Sequence, residues 1–224
     1  PFLFMMAIGP KLKWIKSRLE DKINLISLLI ISILLALLVT KNFNQNILIN
    51  TILISSALYL FFVTLRDFFV KKYKNISQNI AHFGFSLLIL SILFNNIFAS
   101  EIITNLKVGE TFENSKTKIV FESVDQKKEK NYNAIIANFL ISNVNGEEDR
   151  FSPELRIYNQ PVIATSEADI KTTLMSDKFI VINLVQNQDF FNVRYQVKPF
   201  MLWIWLSVIL ISFGGIISFL HKKS

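Results

Sequence analysis

The stretch Gln78–Phe98, QNIAHFGFSLLILSILFNNIF, decides the fold class, because it is apolar and long enough to cross a membrane yet contains a histidine. An ionisable side chain inside a bilayer is costly unless it has a function or a polar partner. The neutral imidazole of His82 is suited to the axial ligation of haem iron. Gly84 removes bulk where a flat ring or a neighbouring helix could approach. On these residues alone, a ligand role and a hydrogen bond to another helix stay equally open.

The composition indicates membrane spans combined with one polar domain. The chain has 224 residues, of which 51% are hydrophobic, and its mean hydropathy is +0.40, too apolar for an ordinary soluble domain. The net charge of +7 comes from basic residues beside apolar runs, which favours membrane topology and contact with lipid over nucleic-acid binding. The absence of cysteine excludes disulfides and thiol chemistry in this chain, and two histidines are too few for a clustered zinc site.

Apolar runs of sufficient length predict an integral membrane α-helical protein with four full spans, a truncated N-terminal span and an inserted β-rich extracytoplasmic domain. The spans are predicted at about 23–40, 47–65, 78–98 and 199–220. The domain boundaries follow as 1–99 for the transmembrane helices, 100–198 for the β-rich domain and 199–224 for the final helix and tail. Pro1–Pro10, PFLFMMAIGP, is too short to span and lacks the charged start of a signal peptide, so we interpret it as the end of a helix and the chain as a fragment or a split subunit.

The basic residues define one orientation in the membrane. Residues 11–22, residues 66–79 and the C-terminus are rich in lysine and arginine, whereas Lys41 is the only basic residue in the opposite short loop. Since basic loops stay on the cytoplasmic side, residues 100–198 are predicted to lie outside, in a bacterial periplasm. The predicted location is the bacterial inner membrane, crossed several times.

Alternating polar and apolar residues predict a small β-sandwich or partial barrel in the outer segment. Phe191–Lys198 alternates most clearly, and Asn145-Gly146 is a hairpin signal. The other predicted strands are Lys118–Val124, Tyr132–Ser142, Leu155–Tyr158, Ile170–Leu174 and Lys178–Leu184. The predicted core comprises Ile135, Phe139, Phe179, Val181, Val193 and Tyr195.

Four further groups of residues have a structural interpretation that we favour over a chemical one. Glu154 and Arg156 share one face of a strand and, with Glu167 and Asp169, predict a surface ion pair rather than catalysis. Trp203 and Trp205 are typical of an interfacial aromatic belt, although they could pack on a flat cofactor. The remaining two are His221, predicted to be a solvated helix end, and Gly214-Gly215, predicted to allow close helix packing.

Six motifs in order resemble the C-terminal third of CcmF, the haem lyase component of bacterial cytochrome c maturation system I, and its relative NrfE. They are PFLFMMAIGPKLKW at the start, AHFG at 81–84, KVGET at 107–111, SPELRIY at 152–158, TSEADI at 165–170 and KPFMLWIWLSVILISFGG at 198–215. The resemblance covers essentially the whole chain.

The resemblance implies covalent attachment of haem to the CxxCH thiols of apocytochrome c at the outer face of the membrane. The implied partners are apocytochrome c, a periplasmic haem chaperone and a thiol-reducing, apocytochrome-binding maturation subunit. The family carries a permanent haem b held by two transmembrane histidines, and His82 matches the second of them. The other family histidines and the tryptophan-rich motif are not in this chain, so the resemblance leaves open whether the chain is an enzyme by itself and assigns no catalytic residue.

Two other hypotheses stay open. In the first, the chain is a non-catalytic, membrane-anchored docking or scaffold subunit of a cytochrome assembly complex, and His82 is structural. In the second, the chain is a subunit of the other cytochrome c assembly system, which also places a large outer domain between spans. A haem spectrum tests the first of these, and the presence of a tryptophan-rich outer motif tests the second.

Overall fold

The computed structural model describes residues 1–11, 22–41, 46–70, 75–143, 146–185 and 189–221, without the side chain of His221. The chain divides into two compact units. The first comprises Pro1–Ile97 together with Phe200–Ser224, and the second comprises Phe98–Pro199. The first unit is helical and the second consists of β-strands.

The helical unit contains the four predicted spans, and their existence is confirmed. Helices α2 to α5 are each long and apolar enough to cross a membrane. Much of their apolar surface faces outward, as at Leu48 and Ile23, which is expected when lipid rather than water surrounds a helix. The helices are α1 (Phe2–Ile8), α2 (Lys22–Thr40), α3 (Ile47–Phe69), α4 (Ile76–Phe98) and α5 (Met201–His221), and a 3-10 turn, Gly9–Lys11, follows α1.

Small and hydroxyl residues lie where the helices meet. Thr40 of α2 and Thr51 of α3 share a hydrogen bond of 2.9 Å between their hydroxyl oxygens. Thr40 also donates to the carbonyl of Ala36 at 2.9 Å, and Thr64 does the same to Leu60 at 2.8 Å. These bonds satisfy hydroxyl groups that have no water available in a bilayer.

Glycines bring α4 and α5 into close contact. A Cβ atom on Gly84 would lie 3.0 Å from the backbone nitrogen of Ile211, and one on Gly214 would lie 2.8 Å from the backbone oxygen of Ser77. Gly215 has no atom within 4 Å of the corresponding position. The predicted close packing at Gly214-Gly215 is therefore confirmed for Gly214 and wrong for Gly215.

The second unit is a β-sandwich of two antiparallel sheets. The four-stranded sheet has the order β1-β10-β9-β8, and the larger sheet has the order β2-β3-β4-β6-β7 with β5 paired to β4. The strands are β1 (Ser100–Leu106), β2 (Thr111–Glu113), β3 (Thr117–Lys128), β4 (Tyr132–Asn143), β5 (Glu148–Phe151), β6 (Glu154–Asn159), β7 (Val162–Glu167), β8 (Asp169–Thr172), β9 (Ser176–Leu184) and β10 (Phe191–Pro199). All six predicted strands are present, and β1, β2, β5 and β7 are additional.

Aromatic and β-branched side chains from both sheets fill the sandwich. Phe121 and Phe139 stack at 4.4 Å between ring centroids, and Phe151 meets Tyr195 of the opposite sheet at 6.1 Å. The prediction of Phe139, Val193 and Tyr195 as core residues is confirmed, and Ile135 packs partly buried against the same cluster.

The prediction was wrong for Phe179 and Val181, because β9 presents its other face to the core. Ile180 and Ile182 are fully buried there. Phe179 pairs with Gln196 and Val181 with Arg194, so both lie on the outer face of the four-stranded sheet. All four residues are apolar, and a run without alternation carries no signal for which face is buried.

Two glycine turns shape the outer unit. Gly146 has a φ of +76° in the β4–β5 hairpin, where Asn143 donates to the carbonyl of Glu147 at 3.0 Å. The hairpin is thus confirmed, although Asn145 lies outside the described residues. In the KVGET motif, Gly109 has a φ of +87°, and its N–H donates to the carbonyl of Phe121 at 2.8 Å. Both positions favour glycine because its φ is unrestricted by a Cβ atom.

Candidate functional site

His82 lies partly buried in α4, and its imidazole lies near the backbone of Met6 in α1. The sequence could reveal the lone imidazole, but not this neighbour, since the proximity depends on how the helices pack.

The α1 segment that contains Met6 packs against α3. Ala7 of α1 is buried with Tyr59, Leu60 and Val63 of α3. Phe4 lies 5.5 Å from Tyr59 between ring centroids, in a tilted arrangement.

A second aromatic contact joins α1 to the helix that bears His82. Phe2 approaches Phe85 edge-on at 6.0 Å between ring centroids. Since Phe85 is three residues beyond His82, both project from roughly the same side of α4. This side faces α1.

A buried ion pair joins the end of this segment to α3. Lys11 Nζ contacts Asp67 Oδ2, and the two side chains are only 2% and 8% exposed. A buried charge is strongly unfavourable without its partner, so the pair ties residue 11 to α3. The sequence analysis placed Lys11 in a basic loop and did not single out Asp67, because sequence spacing gave no reason to bring them together.

Gly84 does not open space beside His82. Two residues turn an α-helix by about 200°, so the two positions point to opposite sides of α4. The space at Gly84 is occupied by Leu210 and Ile211 of α5. Of the two uses that the sequence allowed for this glycine, close approach of a neighbouring helix is the one observed.

His82 could supply one axial ligand to a haem. A porphyrin supplies four nitrogens, so the protein needs to add only one or two axial ligands. The second nitrogen of a ligating histidine usually hydrogen-bonds to a neighbouring group, and the backbone of Met6 lies near His82. Among the described residues there is no group of three or more His, Cys, Asp or Glu that could hold a bare metal ion.

The predicted polar contacts in the outer unit are present and structural. Arg156 Nε lies 2.8 Å from Glu154 Oε2, and its guanidinium sits 5.1 Å from the Tyr132 ring centroid. Arg156 Nη1 lies 3.9 Å from Glu167 Oε1. Asp169 instead accepts a hydrogen bond from the backbone of Ser152 at 2.6 Å. The arginine and both glutamates are partly exposed, consistent with the predicted surface ion pair.

An ion cluster on β5, β8 and β9 was missed by sequence reasoning. Asp149 contacts Lys178 Nζ at 2.8 Å and Lys171 Nζ at 3.5 Å. The hydrogen bond from Lys178 lowers the pKa of Asp149 from its usual value of 3.8. Burial, together with the nearby charge of Asp149, raises the pKa of Tyr195 to about 12. Strand β5 belongs to the larger sheet, whereas β8 and β9 belong to the four-stranded sheet, so these charges meet only when the two sheets pack together.

The tryptophans that open α5 differ in exposure. Trp205 is 63% exposed, whereas Trp203 is partly buried. An exposed indole at this position is consistent with the predicted aromatic belt. The side chain of His221 lies outside the description, so its predicted role as a solvated end stays a prediction.

Comparison with known proteins shows that the outer unit is similar to a known family. Residues 97–199 match the family described as the CcmF C-terminal beta-sandwich. A cytochrome c-type biogenesis protein CcmF from Haemophilus influenzae is 22% identical, over 100% of this chain and 37% of its own length. The Escherichia coli CcmF is also 22% identical, over 97% of this chain and 35% of its length. The cytochrome c-type biogenesis protein ccl1 of Rhodobacter capsulatus is 32% identical, over 52% of this chain and 18% of its length.

A solved structure has the same fold. It is described as cytochrome c heme lyase CcmF, and it matches with a TM-score of 0.70 at 20% sequence identity. The match covers 96% of this chain and 37% of that one. The chain thus spans just over a third of the length of the full proteins that it matches along its whole course.

Proposed function

Because the chain corresponds in sequence and fold to the C-terminal part of the CcmF proteins, we propose that it is part of a cytochrome c haem lyase with a transmembrane haem b. In this proposal the protein assists the covalent attachment of haem to apocytochrome c. Its partners are apocytochrome c, a periplasmic haem chaperone and a thiol-reducing, apocytochrome-binding maturation subunit. It lies in a bacterial inner membrane with residues 100–198 in the periplasm.

The observation that carries the proposal is the position of His82. This histidine lies partly buried on a helix long and apolar enough to span a membrane. A bound haem b would supply one-electron chemistry, with a potential set by its ligands and surroundings. In this proposal, His82 would bind the haem iron through its imidazole.

We expect replacement of His82 by alanine in the complete protein to remove or loosen the haem and to reduce cytochrome c maturation. Added imidazole should partly restore both, since the small side chain leaves a cavity at the vacated axial position. The variant His82→Leu fills that cavity and should not be rescued. Haem content, the absorption spectrum and the yield of mature cytochrome c are the measurements.

The matched control is His221→Ala, which removes the other histidine of the chain. It should retain the haem and the spectrum. If His82→Ala keeps full haem occupancy and an unchanged spectrum, His82 is a structural histidine and the haem proposal is wrong.

A second candidate function is non-catalytic docking of a partner protein by the outer unit. One face of the four-stranded sheet points away from the core and carries Phe179, Val181, Ile103 and Ile170, of which the last two are 61% and 58% exposed. Apolar residues on a solvent-facing sheet surface favour an interaction site. Normal haem content combined with lost partner binding in an Ile103→Ser, Ile170→Ser variant would support this function.

The third hypothesis, a subunit of the other cytochrome c assembly system, gains no support. The relatives named above are cytochrome c-type biogenesis proteins of the CcmF group and its kin. The match of residues 97–199 to the CcmF beta-sandwich also favours cytochrome c maturation system I.

A further inference from the structure

The turn between β8 and β9 presents two apolar side chains. Leu174 and Met175 occupy its tip and are 69% and 62% exposed. Thr173 and Ser176 close the turn on either side. The N–H of Thr173 donates to the carbonyl of Ser176 at 2.9 Å, and the N–H of Ser176 donates to the hydroxyl of Thr173 at 3.0 Å. Two-residue tips of β-hairpins usually carry asparagine, aspartate or glycine, so leucine and methionine are unusual there.

Strand pairing places this tip at the end of the sheet where the chain enters and leaves the sandwich. Ser176, which follows Met175, lies opposite Pro199, the last residue of β10. The first residue of β1, Ser100, lies opposite Val197 near the same end of β10. The tip, the start of β1 and the end of β10 therefore share one end of the four-stranded sheet.

The same end of the sheet is linked directly to two helices that can span a membrane. Helix α4 ends at Phe98, two residues before the start of β1, and α5 begins at Met201, two residues after the end of β10. Two residues of extended chain reach at most about 7 Å, and neighbouring strands lie about 5 Å apart. Chain connectivity alone therefore keeps the tip close to the level at which α4 and α5 leave the bilayer.

We propose that Leu174 and Met175 form a membrane anchor of the β-sandwich, in which their side chains insert into the interfacial region of the leaflet from which α4 and α5 emerge. That region is about 5–8 Å thick on each side of the hydrocarbon core, so connectivity and side-chain length together bring the tip within its reach. Apolar side chains gain free energy when they leave water for this region. The proposal depends neither on the haem role of His82 nor on the side of the membrane that the sandwich occupies.

A lysine beside the turn supports a lipid partner. Lys198 pairs with Asp177, the residue after Ser176, and its Nζ lies 5.3 Å from the centroid of the Phe179 ring. A lysine that packs along an aromatic ring beside an apolar tip places its ammonium where lipid phosphates would lie.

The test measures the depth of a nitroxide spin label at position 175 in the complete protein, reconstituted in vesicles of phosphatidylcholine and phosphatidylglycerol. The chain has no cysteine, so Met175→Cys introduces one labelling site into it, and any cysteines elsewhere in the complete protein are replaced by serine. Oxygen concentrates in a bilayer, whereas a nickel chelate stays in water. The label should therefore be accessible to oxygen and shielded from the chelate.

The matched control is Val108→Cys, at the other end of the same sheet. Val108 is 51% exposed and lies two residues beyond Leu106, where β1 ends. A label there should be severalfold more accessible to the nickel chelate than the label at position 175. Equal accessibility at both positions would overturn the proposal. A label at 175 that is shielded from oxygen as well as from nickel would also overturn it, because protein rather than lipid would then cover the tip.

A second pair of variants tests whether the tip itself, rather than the label, enters the lipid. In the protein labelled at position 175, Leu174→Asp should raise the nickel accessibility towards that at position 108, because a charged side chain is costly in the interface, whereas Leu174→Phe should leave it low. Both substitutions change an exposed side chain, so thermal unfolding of the sandwich should be unaltered. If Leu174→Asp leaves the nickel accessibility low, the label draws the turn to the lipid and the proposal is wrong.

Discussion

At the scale of single residues, the ion pair between Asp149 and Lys178 makes stability depend on pH. The pKa of Asp149 is lowered in the folded protein, chiefly by its hydrogen bond from Lys178, so folding favours the ionised carboxylate. Such a group stabilises the fold above its unfolded pKa of 3.8, and the contribution is lost as the pH falls through the lower folded value.

We expect Lys178→Gln to lower the stability of the outer unit by about 1 kcal/mol at neutral pH, since the pair is only partly exposed. The stability difference between the variant and the wild type should persist down to about pH 5. It should shrink below pH 3.8, because Asp149 of the wild type then becomes protonated and the ion pair is lost. Thermal unfolding followed by circular dichroism measures it.

The control for this variant is Lys118→Gln. The pair between Lys118 and Glu113 is 3.7 Å apart and its side chains are 48% and 67% exposed, so its loss should change little. A Lys178→Gln deficit that stayed constant down to pH 2 would contradict the assignment to Asp149.

The candidate site could be predicted from the sequence only in part. A single histidine in an apolar run is conspicuous, and the position of His82 follows from it. Neither the proximity of Met6 to His82 nor the pairing of Lys11 with Asp67 has a local signal, because each depends on how distant helices pack. Gly84 was ambiguous for the same reason, and the packing of α5 resolves it.

At the scale of elements, the contact between α4 and α5 depends on one glycine of an adjacent pair. We expect Gly214→Ala to destabilise the helical unit by about 1–3 kcal/mol, as overpacking does, because its Cβ atom would lie 2.8 Å from backbone atoms of Ser77 and Ala81. Thermal unfolding of the detergent-solubilised protein is the measurement.

Gly215→Ala is the matched control, since a Cβ atom there meets nothing within 4 Å. Alanine is the better helix former by about 0.5–1 kcal/mol, so this variant should be neutral or slightly stabilised. Equal destabilisation by both substitutions would mean that the glycines matter through backbone flexibility rather than through close packing.

The strands show which elements a sequence specifies well. Alternation in β10 identified Val193 and Tyr195 as core residues. The run Phe179–Ile182 in β9 is apolar on both faces, so the face that packs inward is set by pairing with β10. Short strands such as β2 and β5 were missed because three or four residues are too few to show a period.

At the scale of the whole molecule, the sequence predicts orientation from charge, and this prediction has a direct test. A reporter enzyme that is active only outside the cytoplasm should be active when fused after Asn145 and silent when fused after Asn75. Basic residues precede the second position, and the positive-inside rule predicts that such a loop lies on the cytoplasmic side. The reverse pattern would overturn the proposed orientation and the periplasmic location of the outer unit.

The pairing of β1 with β10 has a consequence for how such a molecule arises. These strands are the first and last of the sandwich, and Ser100 lies opposite Val197 in the antiparallel register. Residues opposed in this way are only about 5 Å apart at their Cα atoms. The whole domain therefore begins and ends at nearly one point, as a tight turn does. Because its ends lie close together, a domain of this kind can be inserted between two neighbouring helices without moving them apart.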